Sequence, residues 1–282
     1  IACYASKNNG RGVVTVYEPQ QGQHPTRAQM PLDEQWRMIK DNPIAMIARA
    51  VASPRVPESA SFYTLTLKFW TREGDVMEEE ALRAILGESE LMHALDRRVF
   101  HEFFSKWSAR VAQKGFGIAL PLSTSGLASQ SVVDDIIAML AESPLPARLL
   151  HIMVPAEALH REDDAPRRHL HALRDAGCQI ILTQTGRDLE VFNLLGHDMV
   201  DYVMLNAELV SWVHTNLMDE MMVPIIHGHA QRLGLRSIAG PADQPLVMDT
   251  LSGIGIDLIF GDTIAAQQPL DLLLNNSYFA IN

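Results

Sequence analysis

Cysteine is almost absent from this sequence, and that scarcity removes several classes at once. Cys3 and Cys178 lie far apart, and neither has a second ligand at metal-type spacing. A disulfide-stapled scaffold and a zinc ribbon are therefore excluded, and both thiols are expected to be reduced, as in a cytoplasmic protein. No apolar run approaches the roughly 18 residues that cross a bilayer. Positive charge is also short: 23 Lys and Arg against 34 Asp and Glu leave a net charge of −11. That balance argues against a surface that wraps nucleic acid. There is no Gly-x-Ser-x-Gly elbow. Gly253-Ile254-Gly255 reads as a turn rather than a phosphate loop, because no lysine and no helix start follow it. No signal peptide opens the chain, and Ile1 in place of Met is expected of a piece cut from a longer protein.

What is present is a strong alternation of strands and helices. The chain has 282 residues, of which 47% are apolar, enough for one large α/β domain. The stretch from Ala176 to Val210 sets the pattern. Gly177 ends a helix, and Cys178 to Leu182 is a short apolar run of the kind buried on both faces. Thr183-Gln184-Thr185-Gly186 leaves that strand; Leu189, Phe192, Leu195 and Met199 recur near helical spacing; Val200 to Leu205 is a second buried strand. This is a βαβ unit, in which parallel strands need a crossover. Further strands are expected at Ile44–Ala52, Phe62–Phe69, Phe116–Leu122, Leu149–Val154, Ser237–Ala239 and Leu258–Phe260. Helices are expected at Glu78–Leu86 and Leu91–Trp107, and near Trp36, Ile137, Leu173, Leu194, Met218, Leu233 and Met248. The whole reads as a TIM-like (β/α)8 barrel, whose chemistry gathers at the C-terminal ends of the strands.

The same stretch resembles the EAL family, the bacterial domain that hydrolyses cyclic di-GMP. Its members read Leu-Gly-Cys-x-Ile-Ala-Leu-Asp-Asp-Phe-Gly-Thr-Gly and then Val-Asp-Tyr-Leu-Lys-Ile-Asp. Leu-Met-His-Ala-Leu-Asp-Arg-Arg-Val, residues 91 to 99, resembles a helix motif of that family. Residues 1–19, with Ala-x-Tyr-x-x-Lys-x-x-Gly-Arg and a strand at Val13–Tyr17, resemble the C-terminal remnant of a GGDEF domain. Residues 20–33 read as a linker, and 34–282 as the EAL-like barrel.

The resemblance covers the apolar frame and not the acids. Hydrolysis in the family implies two cations about 3.5–4 Å apart, held by clustered carboxylates. At the matching positions stand Thr64, Pro121, Ile152, Thr183, Gln184, Met204 and Gly240, with Asn206 for another aspartate. Only Asp243 keeps an acid, at a second glutamate position. No metal, no cofactor and no catalytic residue is therefore expected. Arg49 and Lys68 are aligned with polar positions of the nucleotide pocket, so Arg49, Lys68 and Asp243 are the nucleotide-binding candidates. The plainer alternative is that these cations fill the emptied region, with Arg49 paired to Asp243.

Other polar clusters read as solvated surface or, for the histidines at 227 and 229, as solvated or core residues rather than a metal site. His227 and His229 are two residues apart and face different ways on a helix. His160, His169 and His171 flank a mixed-charge stretch, and Glu78-Glu79-Glu80 suits a first helical turn. Kept frame with lost acids resembles the FimX-type regulators of type IV pili. That resemblance implies an inactive domain working through protein contact, with a PilZ-type protein or a second copy as partner. The alternatives are a cyclic di-GMP receptor without hydrolysis, binding weakly, and a residual phosphodiesterase. The mouth is expected to be closed by Ile152, Met153, Met204 and Phe260. The working surface is expected around Val210–Val223, including Trp212 and Val213.

Overall fold

The structure is a computed structural model that describes residues 35–36, 39–40, 43–70, 76–87, 90–160, 164–186, 189–195 and 199–275. The proposed GGDEF remnant, its strand at Val13–Tyr17 and the linker lie outside those residues.

Ten strands form one sheet: β1 (Ile44–Ala52), β2 (Ala60–Trp70), β3 (Val76–Glu78), β4 (Gly117–Pro121), β5 (Leu150–Pro155), β6 (Gln179–Thr185), β7 (Tyr202–Leu205), β8 (Arg236–Ala239), β9 (Leu258–Phe260) and β10 (Gln268–Pro269). Eight of them close into a barrel in the order β1-β2-β4-β5-β6-β7-β8-β9, with β9 returning to β1. From β2 to β9 neighbouring barrel strands run parallel, whereas β1 is antiparallel to both β2 and β9. β3 extends β2, and β10 extends β1.

Alternation along each strand makes two separate apolar layers. Leu65, Leu67, Ile118, Leu120, Ile152, Val154, Ile180, Leu182 and Val203 belong to the large outer cluster shared with the helices. Val51, Phe62, Ala119, Ile181, Ile238 and Leu258 form the inner cluster, against which Met153, Tyr202, Met204 and Phe260 pack. The floor is aromatic. Phe62 stacks on His151 with ring centroids 4.5 Å apart, and Tyr202 stands 5.6 Å from Phe62. Burial in this floor pushes the His151 imidazole down to about 4.

The helices follow from their own sequence. In Glu90–Lys106, Met92, Leu95, Val99, Phe100 and Phe103 make one buried stripe. That helix stops one residue short of Trp107, and a second helix, Ser108–Lys114, follows at once. Leu217–Arg232 is one continuous helix, so the two helices expected near Met218 and Leu233 are a single element, and Leu233 lies just past its end. β3 was not foreseen: Glu78 ends that strand, and the helix begins at Glu79.

Candidate functional site at the barrel mouth

Because the inner and outer faces alternate, the residues that face the mouth follow from register. Thr64 lies two positions beyond Phe62 on β2, and Pro121 two beyond Ala119 on β4. Thr183 follows Ile181 on β6, and Met204 follows Tyr202 on β7. Gly240 comes two residues after Ile238. On β5 the expectation fails. Ile152 is wholly buried in the outer cluster beside the helices, and Met153 is the residue packed on the inner cluster. A shift of one residue along a strand reverses every side chain, so the β5 residue that faces the barrel interior is Met153 and not Ile152.

The polar groups that remain here are committed to their own backbone. The Thr64 hydroxyl donates to the Arg49 carbonyl at 3.4 Å, and the Thr183 hydroxyl to the Val154 carbonyl at 3.2 Å. Gly240 is roofed by Phe260 (a Cβ at 240 would stand 2.7 Å from two atoms of that ring). Arg49 places its guanidinium 5.7 Å from the centre of the same ring and donates to Gln267 Oε1 at 3.4 Å. It does not pair with Asp243, whose Oδ1 accepts instead from the Asp262 N–H at 2.9 Å. Lys68 Nζ is 2.9 Å from Glu78 Oε1. The three nucleotide-binding candidates thus have separate partners, and nothing joins them into one cluster.

A cation of the kind that hydrolyses phosphodiesters needs several oxygen anions around it. Threonine, proline, methionine and glycine at these strand ends supply none. Among the described residues, no three of His, Cys, Asp and Glu group closely enough to hold a metal ion.

The mouth is not sealed all the way round. A cavity of about 240 Å³ lies at the ends of β5, β6 and β7, lined by Glu157, His160, Gln184, Thr185 and Asn206 among others. Gln184 takes a left-handed backbone, φ +58°, uncommon for a residue with a side chain. Glu157 accepts from the Thr124 hydroxyl at 3.0 Å, and Asn206 caps the helix that follows it.

Two buried polar clusters support the frame. Arg83 contacts Glu79 at 2.7 Å and Asp96 at 3.3 Å; Asp96 in turn accepts from the Ser123 hydroxyl, and Glu79 from the Leu67 N–H. Burial raises both carboxyls while Arg83 opposes the rise. In the second, His227 Nδ1 lies 2.8 Å from Ser237 Oγ, which donates to Asp257 Oδ2 at 2.9 Å. Serine is central here and wholly buried, which suits a tie between helix Leu217–Arg232 and β8 rather than a nucleophile. Burial also pushes the Cys178 thiol up to about 12, leaving it inert.

A closed α/β barrel with one reversed strand and its pocket at the strand ends defines the class of protein. The chain belongs to the EAL domain family, whose model matches residues 52–267. It is 56% identical over its whole length to a protein named "Probable diguanylate cyclase DgcE" from Escherichia coli (strain K12), covering 25% of that protein. Over 96% of its length it is 20% identical to the cyclic di-GMP phosphodiesterase PdeB of Shewanella oneidensis, covering 32% of it. The chain thus spans about a quarter to a third of the length of these curated relatives. Among solved structures, the Xanthomonas citri FimX EAL domain in complex with c-diGMP superposes with a TM-score of 0.72, at 20% identity, over 87% of this chain and 96% of that one.

Proposed function

We propose that this barrel is a non-hydrolytic EAL domain that serves cyclic di-GMP-related signalling through contact with other proteins, as FimX-type pilus regulators do with PilZ-type partners. One observation carries the reading. Thr64, Pro121, Met153, Thr183, Met204 and Gly240 stand at the mouth positions where the chemistry requires ligands. A single lost ligand is replaceable by a neighbour; six positions without an acid are not. Val210, Val213 and Val223 of the expected surface are wholly buried, whereas Trp212 and Met221 are exposed and support contact as the working mode. Among the described residues, no helix is long and apolar enough to cross a membrane. The test is incubation of the chain with cyclic di-GMP and Mg²⁺ or Mn²⁺. No linear product is expected; product formed in proportion to protein and lost on chelation would overturn the reading.

A second reading is a receptor that binds cyclic di-GMP without cleaving it. It is favoured by Arg49, whose guanidinium meets an amide and a ring rather than a carboxylate, and by the nucleotide named with the FimX structure. Calorimetry separates the two. Weak or absent heat supports the first reading, whereas saturable binding at micromolar nucleotide, abolished by Arg49→Ala, supports the second.

A further inference from the structure

The cavity at the ends of β5, β6 and β7 lies on the outer side of the barrel wall, beside the mouth. Strand register shows this. Leu182 pairs with Val203, and the next pair is Thr185 with Leu205. Three steps on β6 thus match two on β7, which is a β-bulge with one inserted residue. Without the bulge, Thr185 would share the inward parity of Ile181 and Thr183. With it, Thr185 lies beside Leu205 of the outer cluster, to which Ala156 and Val191 also belong. These two sit on turn Ala156–His160 and helix Val191–Leu194, which pack on each other and wall the cavity. The bulge holds Gln184 at φ +58°, a costly backbone for a residue with a side chain.

What the bulge turns outward is an unused hydroxyl. Thr185 is wholly buried, and its Oγ1 has no hydrogen-bond partner among the described residues. A buried hydroxyl normally has one. Glu157 is engaged through Oε1 alone, by the Thr124 hydroxyl, so its Oε2 is left without a partner among the described residues. The exposed Gln184 amide likewise makes no hydrogen bond among them. Three unused acceptor oxygens, one of them on a carboxylate, therefore belong to residues that line one cavity. No Lys or Arg stands among the described lining residues to neutralise that carboxylate.

We propose that this cavity binds a small aliphatic primary amine. An ammonium presents three N–H donors and one positive charge, which matches three acceptors and one anion. Glu157, Thr185 and Gln184 would hold the ammonium, and Ala156 and Val191 offer an apolar wall for a short carbon chain. The volume of about 240 Å³ equals that of roughly eight waters, which suits a chain of a few carbons. The site is separate from the strand-end positions Thr64, Met153, Thr183 and Met204, so the proposal does not rest on the reading of the mouth.

The probe is n-butylamine at pH 8, where an alkylammonium keeps its charge. It is titrated into the 282-residue chain with isotopically labelled methyl groups and followed by NMR. Saturable shifts are expected at the Ala156, Thr185 and Val191 methyls, with a Kd on the order of 1 mM. The Val99 methyls, buried in helix Glu90–Lys106, should not move. Butan-1-ol lacks the charge and tetramethylammonium lacks the N–H donors; each should bind at least tenfold more weakly. Glu157→Gln should weaken butylamine binding at least tenfold. Thr185→Val, which keeps the shape and removes the hydroxyl, should weaken it at least threefold. Circular dichroism confirms that both variants are folded, and Glu157, being exposed, carries the test should Thr185→Val fail to fold. No saturable shift up to about 100 mM amine, equal binding of either control, or indifference to Glu157→Gln or to a folded Thr185→Val would each overturn the proposal.

Discussion

The ring of Phe260 occupies the space in which a side chain at position 240 would begin. A Cβ on Gly240 would lie 2.7 Å from Cδ1 and Cε1 of that ring and 2.5 Å from the Phe260 carbonyl oxygen. Gly240→Ala should therefore cost about 1–3 kcal/mol by overpacking, read as a lowered urea midpoint. Phe260→Ala should relieve only part of that cost, because the carbonyl oxygen stays in place. Full relief would show that the ring alone sets the barrier.

The same contact limits repair of the mouth. Thr64→Glu, Met153→Glu, Thr183→Asp and Gly240→Glu combined should not hydrolyse cyclic di-GMP with Mg²⁺ while Phe260 remains. Chelator-sensitive turnover by a folded combination would show that position 240 accommodates a ligand after all.

Asp96 is fully buried and satisfied by Arg83 and Ser123. Asp96→Ala leaves the guanidinium short of a counter-charge and should destabilise the barrel by about 3–5 kcal/mol. Chemical denaturation measures this. A loss under about 1 kcal/mol would mean that water or Glu79 makes good the contact.

His151 titrates at about 4 in the folded floor, against about 6.5 when unfolded. Above pH 6.5 both states are neutral at this ring and nothing changes. Between pH 6.5 and 4 the unfolded chain takes up a proton that the folded chain refuses, so stability falls with pH by roughly 3 kcal/mol at most. The difference in stability between the native chain and His151→Phe should follow that window. A flat difference would mean that His151 protonates in the folded floor without cost.

Gly228 sits inside a helix with free space around it. Gly228→Ala should raise monomer stability by about 0.5–1 kcal/mol through backbone entropy, measured in dilute solution. No gain would indicate a hidden neighbour.

The strands and their order were legible because each barrel strand is a short apolar run between polar turns. Direction of facing on β5 was not. Leu150-His151-Ile152-Met153-Val154 is apolar on both sides, so the run has no alternation to fix which residue looks inward, and Ile152 and Met153 exchanged places. Asp96 did leave a signal, a lone acid on the stripe of Met92, Val99 and Phe103, although the residue it binds lies across the fold. Nothing local foretold that Phe260 would roof Gly240, because that contact arises only when two neighbouring strands are laid side by side. The separate partners of Arg49 and Asp243 were hidden for the same reason.

The reversal of β1 has a mechanical consequence. Ile44 opens that strand opposite Phe69, at the far end of β2 from the floor, so the polypeptide joins the barrel at its rim. A load applied at Ile44 itself would enter five residues from Arg49, at the mouth end, and not at the aromatic floor around His151. The rim is thus the end of β1 at which a pull on that strand would be felt first.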